Sequence, residues 1–168
     1  MIINNSNNAD ISEIFRLYRL ASAFQKTKDS ALWPEFSMSL VLKEIEENRQ
    51  WKLIIDNKIA CVWAVTFNDP EIWGEKDADK AMYIHRIATN PEFRGHKFVE
   101  HIVRWSKTYA KEKGLDYIRL DTVGENKGLI AHYTNCGFQY LGLFKLEDTS
   151  SLPAHYQNSS VSLFEIKL

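Results

Sequence analysis

The chain has 168 residues, a formal net charge of −1, 45% hydrophobic and 26% charged residues. Such a length suits one domain over residues 1–168, large enough to bury a core without disulfides or metals. Charge this balanced argues against nucleic acid as the main partner. No run approaches the ~20 apolar residues of a membrane span, and the opening Met-Ile-Ile-Asn-Asn-Ser-Asn-Asn lacks the basic and apolar regions of a secretion signal. Cys61 and Cys136 are far apart and have no metal-type spacing. A cytoplasmic chain with reduced thiols and no metal is the expectation, as monomer or homodimer.

Asp10 stands where a helix cap belongs, and Ile11, Ile14, Leu17, Tyr18 and Ala21 follow at helical spacing, which predicts a helix to about Thr27. Trp33-Pro34 breaks that pattern. A second helix is expected from Ser39 to about Asn48, with Leu40, Val41 and Ile45 inward. Strands at 51–55 and 59–67 flank Asp56-Asn57-Lys58, a hairpin turn. Residues 68–80 read as a polar, acidic loop, and 82–88 as a strand. Beyond Pro91 the period becomes helical: Phe98, Val99, Ile102, Val103, Ser106, Tyr109 and Ala110 share a face, and Lys113-Gly114 stops it. A strand at 117–123, a helix at 126–135 closed by Cys136-Gly137, and strands at 138–144 and 161–166 complete the chain. The unit 82–123 is β-α-β, so its strands run parallel. The class is α/β, in the mixed α+β sense, with a mixed sheet.

Two segments carry chemistry. Asn90-Pro91-Glu92-Phe93-Arg94-Gly95-His96-Lys97-Phe98-Val99 follows a strand and opens a helix. Unpaired N–H groups and the positive dipole end of such a start suit a phosphate. Gly95 permits a sharp turn, and Arg94 and Lys97 add charge. One glycine before a helix is by itself usually just a turn. In the second segment Asn126 and Tyr133 lie seven residues apart, about two helical turns, and so share a face. They fit either a cap and a core ring or two groups along one ligand path.

In order and spacing these pieces resemble the GNAT acetyltransferase family from about Met82 to Phe144: Tyr83-Ile84-His85-Arg86-Ile87-Ala88-Thr89, Asn90-Pro91, Phe93-Arg94-Gly95, Leu120-Asp121-Thr122-Val123, Asn126, Tyr133 and Gly137-Phe138. The resemblance implies a twisted mixed sheet with splayed central parallel strands, and acetyl-CoA as cosubstrate. It implies that Ile87, Ala88 and Thr89 pair with the pantetheine arm, and that Arg94, Gly95, His96, Lys97, Phe98 and Val99 hold the pyrophosphate. Asn126 and Tyr133 complete the cofactor set. The family's turn usually carries glycine where Lys97 and Val99 stand. Lys97 either adds charge for a phosphate or crowds it.

Acetyl transfer to an amine needs a neutral amine, stabilisation of a developing oxyanion and a proton for the leaving thiolate. By resemblance Tyr133 is the general acid, with backbone N–H groups near Ile87–Thr89 as oxyanion donors. His85 is the best-placed side chain for a base, and Glu71 or water is the alternative. Strand alternation groups Tyr83, His85 and Ile87 opposite Ile84, Arg86 and Ala88. Arg86 and Asp121 are expected to pair structurally. Trp51, Trp63 and Trp105 read as packing. Trp33 and Trp73, in loops, are candidates to wall an acceptor pocket together with Tyr83 and Glu71. The expected acceptor is a small-molecule or peptide amine. A non-catalytic acyl-CoA-binding or partner-binding module is the alternative.

Overall fold

A computed structural model describes residues 1–28 and 32–168. Their contacts group into two compact units, one of Met1–Val65 with His85–His96, the other of Thr66–Ile84 with Lys97–Leu168.

The first unit holds β1 (Ile2–Asn5), α1 (Ile11–Thr27), α2 (Met38–Glu46), β2 (Gln50–Ile55) and β3 (Lys58–Thr66). It also takes the C-terminal half of β4 (Ala81–Thr89). Asp10 stands at the N-cap position of α1, but its side chain makes no cap hydrogen bond to that helix. Asn7 caps a 3-10 turn over Asn8–Asp10 instead, and the Asp10 carboxylate returns to the Asn7 N–H at 2.8 Å, a capping box that runs straight into α1. Helix α2 starts at a Ser37 cap and stops before Asn48. Asn48 has φ +56°, and the Asn48 and Arg49 N–H groups bond to the carbonyls of Ile45 and Glu44, a Schellman ending. The hairpin turns on Asp56 and Asn57 at φ +48° and +59°, a two-residue I′ turn closing Ile55 against Lys58. Ile14, Leu17, Tyr18, Phe36, Val41, Val62 and Ala88 form this unit's core.

The second unit holds α3 (Pro70–Trp73), the N-terminal half of β4, α4 (Phe98–Glu112), β5 (Tyr117–Val123), α5 (Lys127–Asn135), β6 (Gln139–Lys145) and β7 (Ser160–Lys167). Residues 70–78 are helical, a short α-turn followed by a 3-10 turn, not an open loop. Pro70 at the first helical position favours that start. Helix α4 buries Phe98, Val99, Ile102, Val103, Ser106 and Ala110 and leaves Tyr109 half-buried. β4 and β5 are parallel, as the β-α-β reading requires. Their register runs from Ala81↔Tyr117 to Tyr83↔Arg119, whereas β5 pairs with β7 along its whole length, from Tyr117↔Lys167 to Val123↔Val161.

With β4 shared between the units, the strand order is β1-β2-β3-β4-β5-β7-β6 in a seven-stranded mixed sheet. Among the described residues no helix is long and apolar enough to cross a membrane.

Candidate active site

In the first unit the decisive feature is a break in β4. Arg86 has φ +52°, a left-handed backbone inside a strand. A non-glycine residue pays for that conformation and needs an outside anchor. Regular alternation does not pass through such a residue, so the grouping of Tyr83, His85 and Ile87 on one face fails as an argument. The Arg86 guanidinium is buried on Glu44 of α2, and its Nε donates to the Tyr18 hydroxyl at 3.4 Å. Its expected pairing with Asp121 is therefore wrong. Asp121 instead accepts the Tyr156 hydroxyl at 2.8 Å. The sequence signal for Glu44 was available: it lies three residues after Val41, on the inward side of α2, where a carboxylate needs a buried partner.

Ile87, Ala88 and Thr89 follow the break, with Ala88 buried and the other two half-buried. Asn90 fixes their far end to β3. Its N–H donates to the Ala60 carbonyl at 2.9 Å and its Nδ2 to the Ile59 carbonyl at 3.2 Å. Asn90 Oδ1 also caps the turn Pro91–Phe93 through the Glu92 N–H. Arg94, Gly95 and His96 are exposed. The Arg94 guanidinium lies 4.6 Å over the Phe24 ring, and His96 Nδ1 is 2.8 Å from the Phe93 carbonyl. His85 is half-buried. Trp33 packs edge-on against Tyr18 and Phe36, which joins it to the core of this unit.

In the second unit Lys97 stands at the start of α4 with φ 51° and ψ 45°, left-handed, and no side chain caps the helix. Gly95, two residues earlier in the chain and in the first unit, has φ +88°. A helix start without a side-chain cap leaves its first N–H groups to an outside acceptor. The left-handed backbone explains why glycine suits the Lys97 position. The ammonium of Lys97 is exposed and 3.3 Å from Glu100. Phe98 and Val99 are buried, so Val99 packs as an ordinary helix residue.

Asn126 caps α5, its Oδ1 accepting from the Leu129 N–H at 3.1 Å. Tyr133 is half-buried. Its ring meets Phe138 at 6.0 Å and Phe164 at 5.2 Å. The Gly137 and Phe138 N–H groups close the helix on the Thr134 and Tyr133 carbonyls, with Gly137 at φ +98°.

Two acceptor candidates need correction. Trp73 sits on α3, not on a loop, and Trp73 and Tyr83 are both buried in the core of the second unit. Their rings flank Arg119, which is 1% exposed on its side chain and bonds Asp79, Glu165 and the Lys76 carbonyl. The Tyr83 hydroxyl accepts from Arg119 at 3.3 Å, and burial pushes its pKa well above the ordinary phenol. These two rings pack around a cation and do not form an open wall. Sequence reading missed Arg119. Its signal was a lone cation inside the apolar run Tyr117-Ile118-Arg119-Leu120. Glu71 is exposed and accepts from Ser151 at 3.1 Å. Trp105 is half-buried and stacks on Tyr109 at 5.1 Å, while Trp51 and Trp63 are buried as expected.

Comparison with known proteins adds the following. A family model described as the acetyltransferase (GNAT) family matches residues 11–138. The uncharacterised N-acetyltransferase YesJ of Bacillus subtilis (strain 168) is 27% identical over 74 residues, 44% of this chain and 41% of that protein. The match thus spans less than half the length of that relative. A GNAT-family acetyltransferase structure from Listeria monocytogenes 4b F2365 superimposes with a TM-score of 0.79 at 20% identity, covering 99% of this chain and 94% of the other. One from Streptococcus agalactiae 2603 gives 0.76 at 18% identity, covering 99% and 95%.

Proposed function

This chain belongs to the GNAT acetyltransferase family, and from that premise we propose that it moves an acetyl group from acetyl-CoA directly to a primary amine. The observation that carries the reading is the open start of α4. It is a fifteen-residue helix without a side-chain cap, entered through Gly95 and Lys97, both at positive φ. That start offers N–H donors and a dipole end to a pyrophosphate, and Arg94 and Lys97 add charge. The residues present therefore fit the cosubstrate, which brings an activated acetyl thioester.

Each group of this chain then has a task. The N–H groups of Ile87–Thr89 hold the pantetheine arm and donate to the thioester oxygen as negative charge builds on it. Asn126 keeps the start of α5 in shape. The Tyr133 hydroxyl gives a proton to the departing sulfur; a phenol near pKa 10 and a thiol near 8.5 are close enough for that exchange. His85 takes the proton of the incoming ammonium. The acceptor is a small-molecule or peptide amine. A cytoplasmic setting fits the two free cysteines, Cys61 and Cys136.

A thermal melt with acetyl-CoA, followed by turnover over a panel of amines, tests the reading. At 100 times its dissociation constant the ligand adds about 2.7 kcal/mol of stability. A melt that millimolar acetyl-CoA does not move overturns the proposal. Binding without turnover of any amine points instead to a non-catalytic acyl-CoA-binding module.

A further inference from the structure

We propose that Glu44 is a positioning residue for acetyl transfer: through the Arg86 guanidinium it holds the left-handed kink of β4 and so aims the N–H groups of Ile87–Thr89. The inference rests on the acetyl-transfer reading above.

A buried guanidinium gives little stability by itself. An apolar residue of similar volume often does as well, while removal of one partner is costly. The Glu44–Arg86 pair is buried on both sides, at 5% and 13% side-chain exposure. The guanidinium also lies 4.9 Å over Phe36 and 5.8 Å from the centre of the Tyr18 ring. The Tyr18 hydroxyl passes the chain on, donating to Gln50 Oε1 at 3.3 Å. Helices α1 and α2 therefore grip one side chain, and that side chain belongs to the strained residue of the strand.

Position explains the expense. Arg86 directly precedes Ile87, and Asn90 directly follows Thr89 with two hydrogen bonds to β3. The three residues whose N–H groups the reaction uses are thus pinned at both ends. The downstream pin joins the Asn90 backbone N–H and its side-chain Nδ2 to two carbonyls of β3. The upstream pin rests on a carboxylate, which offsets the modest cost of a left-handed arginine. Without Glu44 the guanidinium leaves its site for water, Arg86 relaxes toward extended backbone, and the following N–H groups turn away.

The experiment uses the full chain and the variants Glu44→Gln, Glu44→Gln with Arg86→Gly, and Glu46→Gln as control. Glu46 is an exposed carboxylate at the end of the same helix. Glycine accepts positive φ and has no charge to expel, so the double variant restores the kink. Amide resonances of Ile87, Ala88 and Thr89 in the ligand-free protein shift in Glu44→Gln, return toward wild type in the double variant, and stay in place in the control. In the folded Glu44→Gln protein kcat falls at least about tenfold and the Kd for CoA rises with it, since the displaced N–H groups both hold the pantetheine arm and donate to the oxyanion. The double variant recovers part of kcat. Unmoved amides or full kcat in folded Glu44→Gln overturn the proposal, as does a loss that follows only the folded fraction. If Glu44→Gln does not fold, Arg86→Lys keeps the charge and loses the fork, and the same amide and kcat readouts decide. A wild-type chain that neither binds CoA nor acetylates any amine brings down the acetyl-transfer reading, and the amide shifts still decide the clamp.

Discussion

The Phe138 N–H donates to the Tyr133 carbonyl at 3.1 Å, and the rings of the same two residues meet edge to face at 6.0 Å. One residue thus holds both the backbone and the ring of Tyr133. The link depends on Gly137 between them, at φ +98°. A Cβ there meets no atom within 4 Å among the described residues, so its cost is conformational and not steric. Gly137→Ala should lose about 1–2 kcal/mol, and a melt should fall by about 2–4 °C per kcal/mol. An unchanged melt would mean that the turn does not need its left-handed residue.

Tyr133→Phe keeps the ring against Phe138 and Phe164 and removes only the hydroxyl. General acid catalysis contributes about 10²–10⁴-fold, part of which water replaces. The expected result is a fall in kcat of about 10- to 1000-fold with the Kd for CoA nearly unchanged. Steady-state rates with the best amine of the panel and a CoA titration check it. Full activity removes the hydroxyl from the mechanism.

Acceptor geometry was the hardest part to read from sequence, and the reason is local. Helix and strand positions followed from periodicity, because burial on one face repeats along the chain. The α4 face from Phe98 to Ala110 and the hairpin at Asp56-Asn57 were legible on those grounds. Periodicity carries no warning of a single left-handed residue. Arg86 therefore looked like an ordinary strand position, and the faces assigned on either side of it did not follow. The same limit hid Arg119: a buried cation takes its partners from Asp79 and Glu165, 40 and 46 residues away. Trp73 and Tyr83 looked available for an acceptor only because that cation was not in view.

Lys97 bears two effects that opposite substitutions separate. Its left-handed backbone favours glycine, so Lys97→Gly should gain about 1 kcal/mol of stability. Its ammonium, 72% exposed, already has Glu100 at 3.3 Å, so its pull on a phosphate is weak and screened. Lys97→Ala should weaken CoA binding by about two- to fivefold in dilute buffer, and the difference should close near 1 M salt, where screening acts within ~3 Å. Equal affinity of Lys97→Ala and wild type at low salt would remove the charge from the site.

Alkaline pH should expose the buried thiol of Cys61. Burial is the main cause that pushes its pKa up to about 12, against weaker help to the thiolate from the Thr89 side chain and the Val62 backbone. Unfolded, the same thiol titrates near about 8.5. Folding thus retains a proton that the unfolded chain releases. Stability from this group is complete below the unfolded pKa and drains away as pH rises toward the folded one. The slope across that window is about 1.4 kcal/mol per pH unit for one proton. Tyr18, whose pKa is raised first by burial, adds its own loss at higher pH. Cys61→Val replaces the thiol by an apolar group of similar size. Urea melts of both proteins from pH 7 to 10.5 should show wild type losing stability sooner above about pH 9, with a shallower decline in Cys61→Val. Parallel curves would mean that the thiol ionises in place, and Cys61 would then be less isolated from water than its position on β3 indicates.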